Sequence, residues 1–159
     1  MKTYYLTLSQ VFPVTHFKAG EPTGFKEKVE AAIKQLEGEW WKLHTIRANC
    51  ALWAKRFEKI ATGEACLSIR MWTGKPYRSK QVEIVRLTRE DGIGLQKLSF
   101  DKDRDGCISY KFFNIDGRFA DIQDVAKNDG LSFNDWREWF KGCDLSQPLA
   151  IIHFTAFRY

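Results

Sequence analysis

The stretch Lys42-Leu43-His44-Thr45-Ile46-Arg47 decides how this chain is read. Residues 39–49 keep neither the helical period nor strict alternation, so they read as a loop with a turn between two helical segments. The residue types single the stretch out. An ammonium and a hydroxyl three positions apart lie on one side of a helical turn, and an arginine two residues later reaches the same place if the chain then extends. Such a trio binds a phosphate or polarises a carbonyl. By its residue types alone the hexapeptide is equally an ordinary polar loop.

Upstream of it, residues 2–12 read as a strand rich in Tyr, Leu, Thr and Val. The loop HFKAGEPTG follows, and then Phe25, Val29, Ala32, Ile33 and Leu36 recur at helical spacing until Gly38. Downstream, a helix is predicted over 50–62, with Trp53, Phe57, Ile60 and Ala61 on one face and Gly63 as its stop. ACLSIRMW reads as a strand, TGKPYRS as a turn on Gly74 and Pro76, and KQVEIVRLTR as another strand. Residues 93–100 and 107–115 read as a hairpin pair around DKDRDG. Phe119, Ile122, Val125 and Ala126 predict a short helix, and Ser132 with Asp135 caps a further one carrying Phe133, Trp136 and Phe140 inward. Leu149–Phe157 is apolar on both faces, as a central strand should be. Five or six strands with three or four helices, without repeat or linker, predict one α+β or small-barrel domain over residues 1–159.

At 159 residues the chain is long enough for one domain with a real core. Its 44% hydrophobic and 14% aromatic content excludes a disordered or low-complexity protein. No apolar run nears the ~18 residues of a membrane span, and MKTYYLTLSQVF lacks the apolar core of a signal peptide, so a cytoplasmic protein without membrane contact is expected. Cys50, Cys66, Cys107 and Cys143 have no metal-ligand spacing and read as reduced, mostly buried thiols. The net charge of +5 is unevenly spread: residues 42–89 hold eleven basic and three acidic residues, a net of +8, and the remainder holds fourteen and seventeen, a net of −3. A positive face of this kind attracts polyanions, and Trp40, Trp41, Trp53, Trp72 and Tyr77 in or beside it suit base stacking.

Other motifs carry less. Asp101-Lys-Asp103-Arg-Asp105-Gly106 and Ile108 match the first eight positions of an EF-hand loop, but Phe112 stands where the bidentate carboxylate belongs. A polar hairpin turn explains the same residues. His16, His44 and His153 are far apart, and His153 in its apolar strand reads as a hydrogen-bonded core histidine. No metal ligands and no cofactor are assigned.

The K-x-x-T-x-R core at Lys42, Thr45 and Arg47, the helix after it, a strand ending in Arg and the late strand PLAIIHFTAF resemble the ASCH domain, whose motif begins G-x-K-x-x-T-x-R. Trp40 occupies the glycine position. Ala126-Lys-Asn-Asp129-Gly130-Leu-Ser132-Phe-Asn-Asp-Trp136 resembles the family's A-x-x-E-G-x-S-x-x-x-W/L stretch, with Asp129 in place of Glu. The resemblance runs from about 25 to 157. It implies an α+β fold in which a small PUA-like mixed β-barrel is surrounded by helices and carries an inserted β-hairpin at 93–115. It also implies a module that binds RNA or a modified nucleotide in a basic cleft between the 42–47 loop and the residues near 129. Arg47, Trp40, Arg70, Trp72, Lys75, Tyr77, Arg78 and Lys80 are its candidate ligand-binding residues. The alternative it implies is hydrolysis of the amide of acetylated cytidine, with Lys42 as base, Thr45 as nucleophile, Asp129 orienting Lys42 or relaying a proton, and Arg47 on the phosphate or oxyanion. A third reading is a partner-binding protein, in which Lys42, Thr45 and Arg47 point apart.

Overall fold

A computed structural model describes residues 1–159. The elements in order are β1 (Lys2–Leu8), α1 (Phe25–Lys34), β2 (His44–Arg47), α2 (Cys50–Ala61), β3 (Ala65–Trp72), β4 (Gln81–Leu87), β5 (Gly94–Lys102), β6 (Ile108–Ile115), α3 (Ile122–Asn128), α4 (Phe133–Phe140) and β7 (Leu149–His153). The class is α+β, as the element pattern predicts. The strands form two sheets, β1-β3-β4 and β2-β7-β5-β6, and neither closes on itself. In the first, β1 and β3 run parallel and β3 and β4 antiparallel; the second is antiparallel throughout.

Between the sheets and helices lies a cluster of 27 buried apolar residues. β1 and β3 feed it by simple alternation: Leu6 and Leu8 beside Ile69 and Met71 point inward, leaving Tyr5, Thr7, Arg70 and Trp72 on the other face. β7 is buried along its whole length between β2 and β5, and so reads as a continuous apolar run. α4 begins where Ser132 Oγ accepts the Asp135 amide, and its Trp136 and Phe140 are buried.

The structure corrects several boundaries and one element. β1 stops at Leu8 and β7 at His153, each shorter than the apolar pattern suggests. Residues 44–47 are a strand rather than part of a loop. Both faces of β2 carry polar side chains, so its period shows no hydrophobic alternation. His44 and Ile46 point one way, Thr45 and Arg47 the other. His44 enters a buried polar group: Asn128 Nδ2 donates to the Tyr159 hydroxyl at 3.1 Å, and that hydroxyl lies 2.6 Å from His44 Nε2. His153 Nε2 lies 3.0 Å from Gln96 Oε1, so it is the hydrogen-bonded core histidine its strand predicts. Burial keeps both imidazoles neutral, His44 well below the ordinary value and His153 at about 3.

The EF-hand-like stretch is the β5–β6 hairpin turn. Asp103 Oδ1 accepts the amides of Asp105 and Cys107, and Gly106 supplies the positive φ. The thiols are all free, but only Cys66 is buried; Cys50 is half-buried, and Cys107 and Cys143 are exposed. No helix is long and apolar enough to cross a membrane.

Candidate functional site

Lys42 and Asp129 stand 87 residues apart in sequence and meet in the interior. Lys42 Nζ donates to Asp129 Oδ1 at 2.6 Å and to the Asp129 carbonyl at 2.5 Å. Lys42 is 1% exposed and Asp129 3%. The ammonium also lies over the Phe25 ring, 4.1 Å from its centroid.

Local structure fixes both partners. Asp129 caps α3 in a Schellman motif: the Gly130 amide donates to the Lys127 carbonyl and the Leu131 amide to that of Ala126. Gly130 takes the left-handed position, φ +82°, which is why glycine follows the acid. The Lys42 ammonium therefore sits at the negative end of α3 as well as on a carboxylate. Lys42 itself is held by its amide on the Lys28 carbonyl, and the next amide, of Leu43, donates to the Asn128 carbonyl at 2.7 Å. A Cβ at Gly130 would lie 3.3 Å from Lys42 Cβ and Cγ. Gly130→Ala is therefore expected to lower stability by about 1–2 kcal/mol from the backbone alone and to displace Lys42. A thermal melt checks the first effect, and a Tm equal to that of the parent protein would contradict it.

Thr45 and Arg47 reach the same place by strand alternation, not by the helical turn that the sequence suggests. The pairing of Thr45 with Ile152 and of Arg47 with Ala150 on the central β7 sets their position. Thr45 is 3% exposed, and its hydroxyl has no hydrogen-bond partner in the protein, yet it is not sealed from solvent. Arg47 is anchored by Nη2 on the Thr7 carbonyl, 2.7 Å, and Nη1 on the Ile46 carbonyl, 3.2 Å. Lys42, Thr45, Arg47 and Asp129 together line a cavity of about 20 Å³, room for one water. Leu8, Ser9, Phe25, Leu131, Trp139 and Phe140 complete it.

Burial dominates the electrostatics. It lowers Lys42 to about 8, against the opposing attraction of Asp129 and with help from the Arg47 and Lys28 charges. It raises Asp129, against the pull of Lys42 and Arg47. The two shifts act in one direction, moving the shared proton from nitrogen towards oxygen. The site can therefore present a neutral amine, a free hydroxyl and a fixed guanidinium to one cavity.

Beside the small cavity lies a recess of about 670 Å³, within the usual range of a ligand pocket. Ile46, Arg47, Trp139 and Phe140 line both. The recess adds residues 48–51, Cys143, Asp144 and 147–149. Sequence reasoning missed this wall. Trp139 was the available signal, standing three residues after Trp136 on a capped amphipathic helix, next to Phe140.

The other candidates lie elsewhere. Trp40 donates its indole N–H to the Lys127 carbonyl at 2.8 Å and holds Lys28 over its ring at 4.2 Å, outside the Lys42 cavity. Arg70, Trp72, Lys75, Tyr77, Arg78 and Lys80 sit on β3 and the β3–β4 turn, and none lines the cavity or the recess. A single cleft made of all eleven predicted residues is thus not what the fold builds. No group of three or more His, Cys, Asp or Glu is placed to hold a metal ion. No family model, curated protein or solved structure matches the chain.

Proposed function

We propose that the Lys42 pocket binds a modified nucleotide or nucleoside and hydrolyses an exocyclic amide on its base. The observation that carries this reading is the buried Lys42–Asp129 pair opening onto Thr45 and Arg47. A phosphate site alone does not call for a cation bonded to a carboxylate, which cancels the charge it offers. An amine that burial brings to about 8, lining the same cavity as an unpartnered hydroxyl, is what nucleophile activation needs.

Neutral Lys42 Nζ takes the Thr45 hydroxyl proton as Thr45 Oγ bonds to the amide carbonyl carbon. The oxyanion faces the Arg47 guanidinium. The C–N bond then breaks, and the Lys42 proton goes to the leaving amine. Water then attacks the Thr45 ester as Lys42 accepts its proton; the C–Oγ bond breaks, Lys42 returns the proton to Thr45 Oγ, and the carboxylic acid leaves. Asp129 is a positioning residue that holds Lys42 and shares its proton.

The 670 Å³ recess suits the body of the substrate, with the scissile carbonyl entering the smaller cavity past Arg47. The nucleotide part of the reading is supported by the +8 charge of residues 42–89 and by the ASCH-like K-x-x-T-x-R and D-G-x-S motifs, whose members share a PUA-like fold. The strands form two separate sheets rather than one closed barrel, so the motifs and not the sheet topology support that part of the reading. Incubation with 4-acetylcytidine followed by chromatography tests the activity, with cytidine and acetate expected. Absence of both at millimolar substrate and pH 8.5 would remove the acetylated nucleoside from the reading. Saturable binding of 4-acetylcytidine without turnover would leave a binding module.

A further inference from the structure

The outer face of the β1-β3-β4 sheet presents aromatic rings and cations together, away from the core. Arg70 lies over the Tyr5 ring, 4.7 Å from its centroid, and Tyr5 is 56% exposed. Trp72, on the same face of β3 as Arg70, has its ring 5.2 Å from that of Tyr77 in the turn. Tyr77 is 90% exposed and takes a positive φ of 63°, a conformation that a bulky residue adopts only at a cost. Its turn is tied by the Thr73 amide on the Lys80 carbonyl and the Arg78 amide on that of Lys75. Packing gives no reason for a strained, solvent-facing tyrosine held beside a tryptophan.

Charge says what suits this face. From Arg70 to Arg86 there are five basic residues and one acidic one, and Glu83 is already bound by Arg86 and Ser68. Strand β1 links this face to the Lys42 cavity, which lies against the opposite side of the sheet. Met71 pairs with Leu8, and Leu8 and Ser9 line the cavity wall. Thr7, beside Arg70 in register, offers the carbonyl that anchors Arg47. One strand spacing, about 4.8 Å, separates the two strands at that point.

We propose that this sheet face is a docking platform for single-stranded nucleic acid, Trp72 and Tyr77 stacking bases and the turn cations holding phosphates, so that the substrate of the Lys42 pocket is a base carried in a strand. The proposal rests on the hydrolytic reading for what happens in the pocket, and on the sheet face alone for what brings the strand there. Stacking on aromatic rings tolerates any sequence, and a cationic track follows the backbone. Four phosphate contacts, from Arg70, Lys75, Arg78 and Lys80, predict an affinity that falls about 50-fold between 50 and 200 mM salt.

The test is fluorescence anisotropy of labelled 12-residue single-stranded RNA and DNA with the full-length Thr45→Ala protein, which binds without turnover. Tight binding of at least one at 50 mM salt is expected. Trp72→Ala or Tyr77→Asn should each weaken it by about tenfold, within the range of one lost stack. Asparagine tolerates the positive φ, so Tyr77→Asn tests the ring without unfolding the turn. No binding at 50 mM salt overturns the proposal. So does equal affinity for an inorganic polyphosphate, or affinity that neither variant changes. Failure of 4-acetylcytidine hydrolysis leaves these readings untouched, so the two ideas fall separately.

Discussion

Asp129→Ala should lower folding stability by about 3–5 kcal/mol, the usual cost of leaving one partner of a buried ion pair unmatched. The reason is specific to this site. Lys42 is nearly inaccessible and its other contacts are the Asp129 carbonyl and the Phe25 ring, so no second carboxylate waits to take over. For a domain of this size the loss corresponds to a fall in Tm of roughly 10 °C. The pair need not be stabilising overall, because two groups are desolvated to form it. Lys42→Met with Asp129→Leu should therefore recover most of the loss while abolishing turnover. Chemical denaturation of the single and double variants measures this. Equal destabilisation in both would mean that the cost comes from packing rather than from the stranded charge.

Thr45→Ala should reduce amide hydrolysis by about 10³-fold or more, since the only other hydroxyl residue lining the inner cavity is Ser9. Stability should change little, because the Thr45 hydroxyl makes no hydrogen bond in the protein. Thr45→Ser keeps the nucleophile and should stay within about tenfold of the parent protein. Lys42→Arg keeps the charge but not a titratable amine, and should lose about 10²–10⁴-fold. Steady-state kinetics on the four proteins provides the comparison. Parent-like turnover by Thr45→Ala would remove Thr45 as nucleophile.

The sequence made part of this site legible. Lys42, Thr45 and Arg47 were recognisable as a set because residue type and spacing restrict what they do together. The Asp129-Gly130 pair carried its own signal, an acid at a helix end followed by the glycine of a left-handed cap. Their meeting was not legible from spacing, since no local rule joins residues 87 apart; only the motif resemblance suggested it. Strand β2 is hidden by its own composition, because polar side chains on both faces erase the alternation by which strands are recognised. The aromatic and basic residues from 70 to 80 were assigned to the same cleft because they are close in charge pattern and sequence. The β3–β4 hairpin carries them outward instead, onto a face whose opposite side feeds the core. The helical face through Trp136 and Phe140 explains α4 by itself, so the apolar spacing asks no role of Trp139.

The central claim is that burial turns Lys42 into the base for Thr45. Its most direct test is the pH dependence of kcat/KM for 4-acetylcytidine between pH 6 and 10. Lys42 works only when unprotonated, so the rate should rise about tenfold per pH unit on the acid side and level off above about 8. A rate that stays flat through that interval, or that is still climbing tenfold per unit between pH 9 and 10 as an ordinary lysine would require, contradicts it.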